Sequence, residues 1–126
     1  MRLLLDTVTL VWAAASQHLV SKEAFAVLQA PGNIRYLSSI SLSELAIKQS
    51  KGKLALRRDD VLVAIADMQL QILPYTREHA FALFDLPLHH TDPFDRQIIA
   101  QAIAAGIPVV TSDEKFKLYK QLKVIW

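Results

Sequence analysis

The sequence predicts an α/β domain of three layers, in which helices cover both faces of a central parallel sheet of about five strands. Short apolar segments typical of buried strands alternate along the chain with segments that carry helix-capping signals, and this alternation favours a parallel sheet. The chain has 126 residues, which suits one domain, 1–126, with a hydrophobic core of its own. No repeat, linker or low-complexity tract divides it.

Apolar runs and capping residues place the elements of the first half of the chain. Ser21 and Ser41 stand at N-cap positions, and Gly52 stands where the third helix should end. Pro31-Gly32-Asn33 stops the second helix before the next strand begins. In chain order, the sequence predicts a strand at Arg2–Leu5, helices at Thr9–Ala15 and Lys22–Gln29, a strand at Ile34–Ser39 and a helix at Leu42–Ser50.

The second half contains the clearest helix of the sequence. It begins at Asp92-Pro93, because proline is favoured at the first helical position, and Gly106 follows its last turn as a C-terminal cap. Ile107–Thr111 is a buried strand by composition. The other predicted elements are a helix capped by Asp59 that runs through Met68, a strand at Gln71–Leu73, a helix from Thr76 to about Phe84, a loop at Leu86–Thr91, a short helix from Glu114 and a strand near Val124.

Composition argues against several classes of protein. Without cysteine the chain has neither disulfides nor a thiolate metal site, so we expect a cytoplasmic protein. The N-terminus reaches Asp6 after three leucines, which is too short for a signal peptide, and no apolar run approaches the roughly 20 residues that span a bilayer. Hydrophobic residues make up 52% of the chain, and this excess predicts a partner protein or a second copy.

Four acids fall where ligands collect in a parallel sheet. Asp6 ends the first strand, Asp113 follows the Ile107–Thr111 strand, and Glu44 and Asp95 lie in the first turns of predicted helices. These places share the edge formed by the carboxyl ends of the strands. Four carboxylates there repel one another unless a cation lies between them, and oxygen ligands suit Mg²⁺ or Mn²⁺. The placement therefore predicts a metal site of a kind used for phosphodiester hydrolysis.

Three of these acids also have an ordinary structural explanation. Glu44 lies three residues after Ser41, as in a capping box, and Asp95 is similarly spaced from Asp92. Asp113 lies at a helix start, where the helix dipole favours acids. Asp6 is different, because a charge at the end of a buried strand needs a partner. The joint placement of all four therefore carries the metal hypothesis.

Basic residues surround the acids in sequence. The formal net charge is +2, but if four of the 12 acidic residues form the site, eight remain against 14 Lys and Arg. Two stretches that begin close to a site acid are positioned to guide a polyanion, although solvated helix faces explain such runs equally well. They contain Lys48, Lys51, Lys53, Arg57 and Arg58 in the first, and Lys115, Lys117, Lys120 and Lys123 in the second.

The same residues carry a family resemblance. The chain resembles the PIN domains of VapC-type toxins from Arg2 to Trp126. The matching segments are Leu4-Leu5-Asp6-Thr7, Ser39-Ile40-Ser41-Leu42-Ser43-Glu44-Leu45-Ala46-Ile47-Lys48 with Gly52-Lys53-Leu54, Leu86-Pro87-Leu88-His89-His90 through Asp92-Pro93-Phe94-Asp95-Arg96, Ile98-Ile99-Ala100-Gln101-Ala102, and Val109-Val110-Thr111-Ser112-Asp113.

The resemblance implies a doubly wound sheet, a Mg²⁺- or Mn²⁺-dependent endoribonuclease, a homodimer and a cognate antitoxin that blocks the site. It maps the family's acidic quartet onto Asp6, Glu44, Asp95 and Asp113, with Asp6 and Asp95 as the main direct ligands. Asp92 then keeps the N-cap role. The chain departs from the family at Val8-Thr9, where many relatives carry histidine and an aliphatic residue, which affects substrate positioning more than chemistry.

Neighbouring polar residues have weaker assignments. Thr7 and Ser112 are placed to hold a carboxylate or a water, and an ordinary strand-end or capping role is equally compatible with them. His89 and His90 are expected to be exposed loop histidines, with contact to substrate as the alternative.

Three other functions compete with the ribonuclease. A haloacid-dehalogenase-like phosphatase needs an acid where Val8 stands, and a receiver domain needs further acids near the first strand, where Leu3-Leu4-Leu5 offers none. A non-catalytic PIN-like protein that binds RNA or an antitoxin remains as the main alternative to the ribonuclease.

Overall fold

A computed structural model describes all residues from Met1 to Trp126 and confirms the predicted fold class. Five strands alternate with six α-helices and three short 3₁₀ helices. The strands are β1 (Arg2–Leu5), β2 (Ile34–Ser38), β3 (Gln71–Leu73), β4 (Val109–Val110) and β5 (Val124–Ile125). The α-helices are α1 (Thr7–Ala15), α2 (Lys22–Gln29), α3 (Ser39–Ser50), α4 (Arg58–Asp67), α5 (Arg77–Ala82) and α6 (Pro93–Ala105), and the 3₁₀ helices are Gln17–Leu19, Leu83–Asp85 and Glu114–Leu118.

The five strands form one sheet, in the order β3-β2-β1-β4-β5, and all neighbours are parallel. Strand β1 lies at the centre, where Leu4 pairs with Tyr36 of β2 on one side and with Val109 of β4 on the other. After β1, the chain adds β2 and β3 on one side of it and then β4 and β5 on the other. This reversal leaves a crevice at the carboxyl ends of β1 and β4, where open parallel sheets bind ligands.

Alternating residues of β1 pack into two separate hydrophobic cores. Leu3 and Leu5 point to the face covered by α1, α2 and α4, and Leu4 points to the face covered by α6 and the Glu114–Leu118 helix. All three leucines are fully buried, as expected for the central strand of a sheet that is covered on both faces. The three-layer α/β/α arrangement therefore holds the end of β1 rigidly.

Several predicted boundaries were wrong for reasons of local hydrogen bonding. The first helix begins at Thr7 rather than Thr9, because the Asp6 side chain caps it. The third begins at Ser39 with Ser38 as its N-cap, so Ser41 is not the cap. Asp59 does not cap α4, because Asp60 accepts the backbone N–H of Arg57 instead.

Three later elements differ from their predicted form. The helix opened by Thr76 ends at Ala82, and its last predicted residues form the 3₁₀ helix Leu83–Asp85. The predicted strand Ile107–Thr111 contributes only Val109–Val110 to the sheet, and the short helix from Glu114 is a 3₁₀ helix. No helix combines the length and the apolar character that crossing a bilayer would require.

Helix α6 has both of its predicted caps. Asp92 accepts the backbone N–H of Asp95 at 2.9 Å, and Pro93 occupies the first turn. Gly106 follows with φ 66° and ψ 37°, and its N–H bonds to the carbonyls of Ala102 and Ile103. This left-handed cap ends the helix on the residue that allows it at the lowest cost.

We expect Gly106→Ala to lower the free energy of unfolding by about 1 kcal/mol, because a Cβ makes the left-handed conformation costly. Gly32→Ala is the matched control, since Gly32 has no positive φ and an added Cβ there meets no atom within 4 Å. Urea denaturation of both variants measures the difference. Equal stabilities for the two variants would contradict this account of the cap.

Candidate metal centre

Asp6 is held in a single orientation at the carboxyl end of β1. Its Oδ1 accepts the backbone N–H of Thr9 at 2.9 Å, and its Oδ2 accepts the hydroxyl of Thr111 at 2.6 Å. The Thr111 hydroxyl in turn accepts the backbone N–H of Asp113 at 3.0 Å, which directs the hydroxyl proton toward Asp6. Asp6 is only 3% exposed, and burial raises the pKa of its carboxyl group.

Glu44 lies in the second turn of α3 and reaches the same edge of the sheet. Its Oε2 forms an ion pair with Lys48 Nζ at 2.6 Å, whereas its Oε1 is buried and has no hydrogen-bond partner. This ion pair raises the pKa of the Lys48 ammonium group. The predicted capping box with Ser41 was wrong, because Ser41 lies inside the helix and accepts the hydroxyl of Thr7 at 2.9 Å.

Asp95 lies in the first turn of α6 with a carboxyl group that is free of the capping arrangement. Its backbone N–H bonds to the cap, Asp92, but the Asp92 N–H bonds to His90 Nδ1 rather than to the Asp95 side chain. The predicted second capping box is therefore not formed. Burial first, and then the negative charges of Asp92, Glu44, Asp6 and Asp113, raise the pKa of Asp95 to about 7.

Asp113 begins the 3₁₀ helix that follows β4 and uses its two oxygens differently. Oδ1 accepts the backbone N–H of Lys115 at 2.9 Å as a cap, and Oδ2 lies 2.8 Å from His90 Nε2. The same Nε2 lies 3.2 Å from Asp95 Oδ2. One ligand atom from each of His90, Asp95 and Asp113 lies within 4.8 Å of the others.

The four acids and Asp92 thus share one electrostatic neighbourhood at the crevice between β1 and β4. Each of Asp6, Glu44 and Asp113 contributes repulsion to Asp95, and Asp113 also acts on Asp6. These charges, together with the unpartnered Glu44 Oε1, are what a divalent cation would neutralise. Carboxylate oxygens are the ligands that Mg²⁺ and Mn²⁺ prefer, so the residues present fit such an ion.

Comparisons with known proteins agree with this architecture. The model of the PIN domain family matches residues 3–122 of the chain. The chain belongs to the PIN domain family. No match was found among curated proteins.

Solved structures of similar fold include three VapBC proteins. VapBC2 from Rickettsia felis, bound to a promoter DNA fragment, has a TM-score of 0.75 and 24% identity, covering 98% of this chain and 97% of that chain. DNA-bound VapBC from Salmonella typhimurium has a TM-score of 0.73 and 19% identity, covering 98% and 96%. VapBC-5 from Mycobacterium tuberculosis has a TM-score of 0.65 and 18% identity, covering 98% and 96%.

Sequence reasoning missed two groups that touch the acids of this PIN domain. Thr111, rather than its neighbour Ser112, bonds to Asp6, and Thr7 bonds to Ser41 rather than to an acid. His90 was expected to be exposed, but it is 5% exposed and contacts two of the acids. Because side chains alternate along a strand, the predicted strand Ile107–Thr111 could have indicated which way the Thr111 side chain points. No local pattern distinguished His90 from the exposed His89.

We expect Asp95→Asn to stabilise the metal-free protein increasingly as pH rises. With a raised pKa of about 7, folded Asp95 keeps its proton where the unfolded chain has lost it. The parent protein therefore loses stability from about pH 4 to about pH 7, by at most about 4 kcal/mol, and the neutral amide escapes this loss.

Urea denaturation in EDTA, near pH 5 and near pH 8, measures the effect. The exposed Asp85→Asn is the control and should leave the pH dependence of the parent unchanged. An Asp95→Asn variant that gains no more stability near pH 8 than near pH 5 would show that Asp95 titrates in its ordinary range.

Proposed function

We propose that this chain is a VapC-like endoribonuclease that hydrolyses RNA phosphodiester bonds with Mg²⁺ or Mn²⁺ held by Asp6, Glu44, Asp95 and Asp113. The observation that carries the proposal is the convergence of these four carboxyl groups from β1, α3, α6 and the end of β4 on one crevice. Like charges gathered at this electrostatic cost in a partly buried crevice favour a cationic ligand. We treat residues 1–126 as one functional domain, because a single sheet passes through the whole chain.

The residues of the proposed metal centre have different roles. The four acids would hold a divalent ion, which would supply an activated water and stabilise charge on the attacked phosphate. Thr9 and Thr111 orient the carboxylate of Asp6 toward the crevice. Glu44 offers Oε1, which no other group uses, and Asp95 offers a carboxylate that is free of capping bonds. Asp6 and Asp95 are the main ligands, and Glu44 and Asp113 act directly or through water.

Exposed lysines of the two basic stretches support a polyanionic substrate such as RNA. The two predicted basic stretches lie on the surface, but Arg57 and Arg58 are engaged by Asp60 and Asp59. The remaining cations without an ion pair are available to phosphate groups, and they are Lys51, Lys53, Lys115, Lys120 and Lys123. That the polyanion is RNA, and that the protein acts in the cytoplasm, are proposed from the resemblance to VapC-type toxins.

We also propose a cognate antitoxin and a second copy of the chain as partners. VapBC assemblies are among the structures of similar fold, and this chain leaves large apolar side chains in solvent that a partner would cover. The most exposed include Phe84 at 84% and Leu88 at 74%, with Val63 and Phe81 at 57%. These side chains account for part of the apolar excess in the composition.

The purified protein is expected to cut RNA internally with Mg²⁺ or Mn²⁺ and to lose this activity in EDTA. Asp6→Asn should reduce the rate by at least about 100-fold, because the neutral amide keeps the shape but weakens the cation site. The exposed Asp85→Asn is the control, with unchanged activity. Gel analysis of end-labelled RNA measures cleavage, and cleavage that persists in EDTA would refute the metal-dependent mechanism.

The same experiment separates the enzyme from the alternative, a non-catalytic PIN-like protein that binds RNA or an antitoxin. That alternative predicts that folded protein with bound Mn²⁺ retains RNA in a filter-binding assay and produces no fragments. Intact RNA under these conditions would replace the nuclease proposal with the binding function.

The antitoxin proposal predicts that the protein encoded immediately upstream of this chain inhibits cleavage at about equimolar amounts. Size-exclusion chromatography with light scattering should show a stable complex of the two proteins and a dimer of this chain. Asp6→Asn is used for the binding measurement, since it should form the complex without RNA cleavage. Full activity in the presence of an excess of the upstream protein would contradict the proposal.

A further inference from the structure

One histidine is built into the acidic crevice in addition to the four proposed ligands. His90 comes from the loop before α6 and is 5% exposed, and its Nε2 lies 2.8 Å from Asp113 Oδ2 and 3.2 Å from Asp95 Oδ2. An imidazole among carboxylates has two possible roles in a metal centre. It either donates a lone pair to the ion or donates a proton to the ligands.

The hydrogen bond at the other ring nitrogen decides between these roles. The backbone N–H of Asp92 donates to His90 Nδ1 at 3.2 Å, and an amide N–H has no lone pair to accept a proton in return. Nδ1 therefore carries the lone pair, which places the ring proton on Nε2. In the opposite tautomer, the Nδ1–H would point at the Asp92 N–H, and the lone pair on Nε2 would face two carboxylates.

The surrounding contacts hold the imidazole in this position. The backbone N–H of His90 donates to the Tyr119 hydroxyl at 2.9 Å, and that hydroxyl donates to the Pro87 carbonyl at 2.7 Å. Arg96 donates to the His90 carbonyl at 3.2 Å, and the edge of the ring meets Phe116 at a centroid distance of 5.6 Å. The loop is therefore fixed on both sides of the ring.

We propose that His90 is a positioning residue of the metal centre, whose Nε2–H donates to Asp113 Oδ2, lies against Asp95 Oδ2 and so keeps the two carboxylates together without binding the ion. This inference rests on the proposed function, because it assigns those two carboxylates as ligands. Without the donor, the two like charges would move apart and would have to be brought together each time an ion binds. A preformed pair of carboxylates binds the cation at a lower cost.

Three variants test this role through Mn²⁺ binding, measured by isothermal titration calorimetry on metal-free protein. His90→Phe keeps a ring without a donor and should weaken Mn²⁺ binding about 10- to 100-fold. His90→Gln keeps an N–H donor on a side chain of similar reach and should retain most of the affinity. The exposed His89→Phe is the matched control and should bind like the parent. Thermal melts verify that each variant is folded.

Two spectroscopic measurements on the parent protein need no variant. Nitrogen-15 NMR of the imidazole should show a proton on Nε2 and none on Nδ1. Electron spin-echo spectroscopy of the Mn²⁺-bound protein should show no directly coordinated imidazole nitrogen. An unprotonated Nε2, a coordinated imidazole, or parental Mn²⁺ affinity in folded His90→Phe would each overturn the positioning role. Failure of the parent to bind Mn²⁺ would instead overturn the proposed metal centre.

Discussion

The structure depends on how the parallel pair of β1 and β4 ends. Both strands run in the same direction through the centre of the sheet, so their carboxyl ends open onto the same crevice. The bond from Thr111 to Asp6 Oδ2, at 2.6 Å, joins residues 105 positions apart at the floor of that crevice. It provides one fixed carboxylate against which the acids of α3, α6 and the end of β4 are arranged.

Gathering these acids costs electrostatic energy, and the fold offsets only part of it. Lys48 neutralises one oxygen of Glu44, and hydrogen bonds from Thr9 and Thr111 stabilise Asp6. The Asp95 carboxyl group accepts no hydrogen bond and has only His90 Nε2 nearby, at 3.2 Å, and burial first and then the charges of the other acids raise its pKa to about 7. Folding therefore leaves negative charge in the crevice that its own hydrogen bonds and ion pair do not fully compensate.

The structural and functional explanations of the acids turn out to be compatible. Asp6 caps α1 with Oδ1 and meets Thr111 with Oδ2, and Asp113 caps its 3₁₀ helix with Oδ1 and meets His90 with Oδ2. A carboxylate has two oxygens with two lone pairs each, so capping does not exhaust its capacity to bind an ion. Asp92 caps α6 with one oxygen, and its N–H sets the tautomer of His90. Helix capping thus orients the acids of the crevice.

The sequence by itself determined the order of the elements, the burial of β1 on both faces and both caps of α6. It also determined that Asp6 and Asp113 follow strands. All of these features follow from local periodicity and capping. The tertiary structure decided the rest. Ser38 rather than Ser41 caps α3, so the buried Glu44 lies beyond the capping position and pairs with the partly exposed Lys48. His90 became a buried partner of the acids because α6 and the Glu114–Leu118 helix enclose its loop. Such contacts join residues far apart in sequence, and their energies depend on which charges and apolar groups folding brings together, so no local pattern contains them.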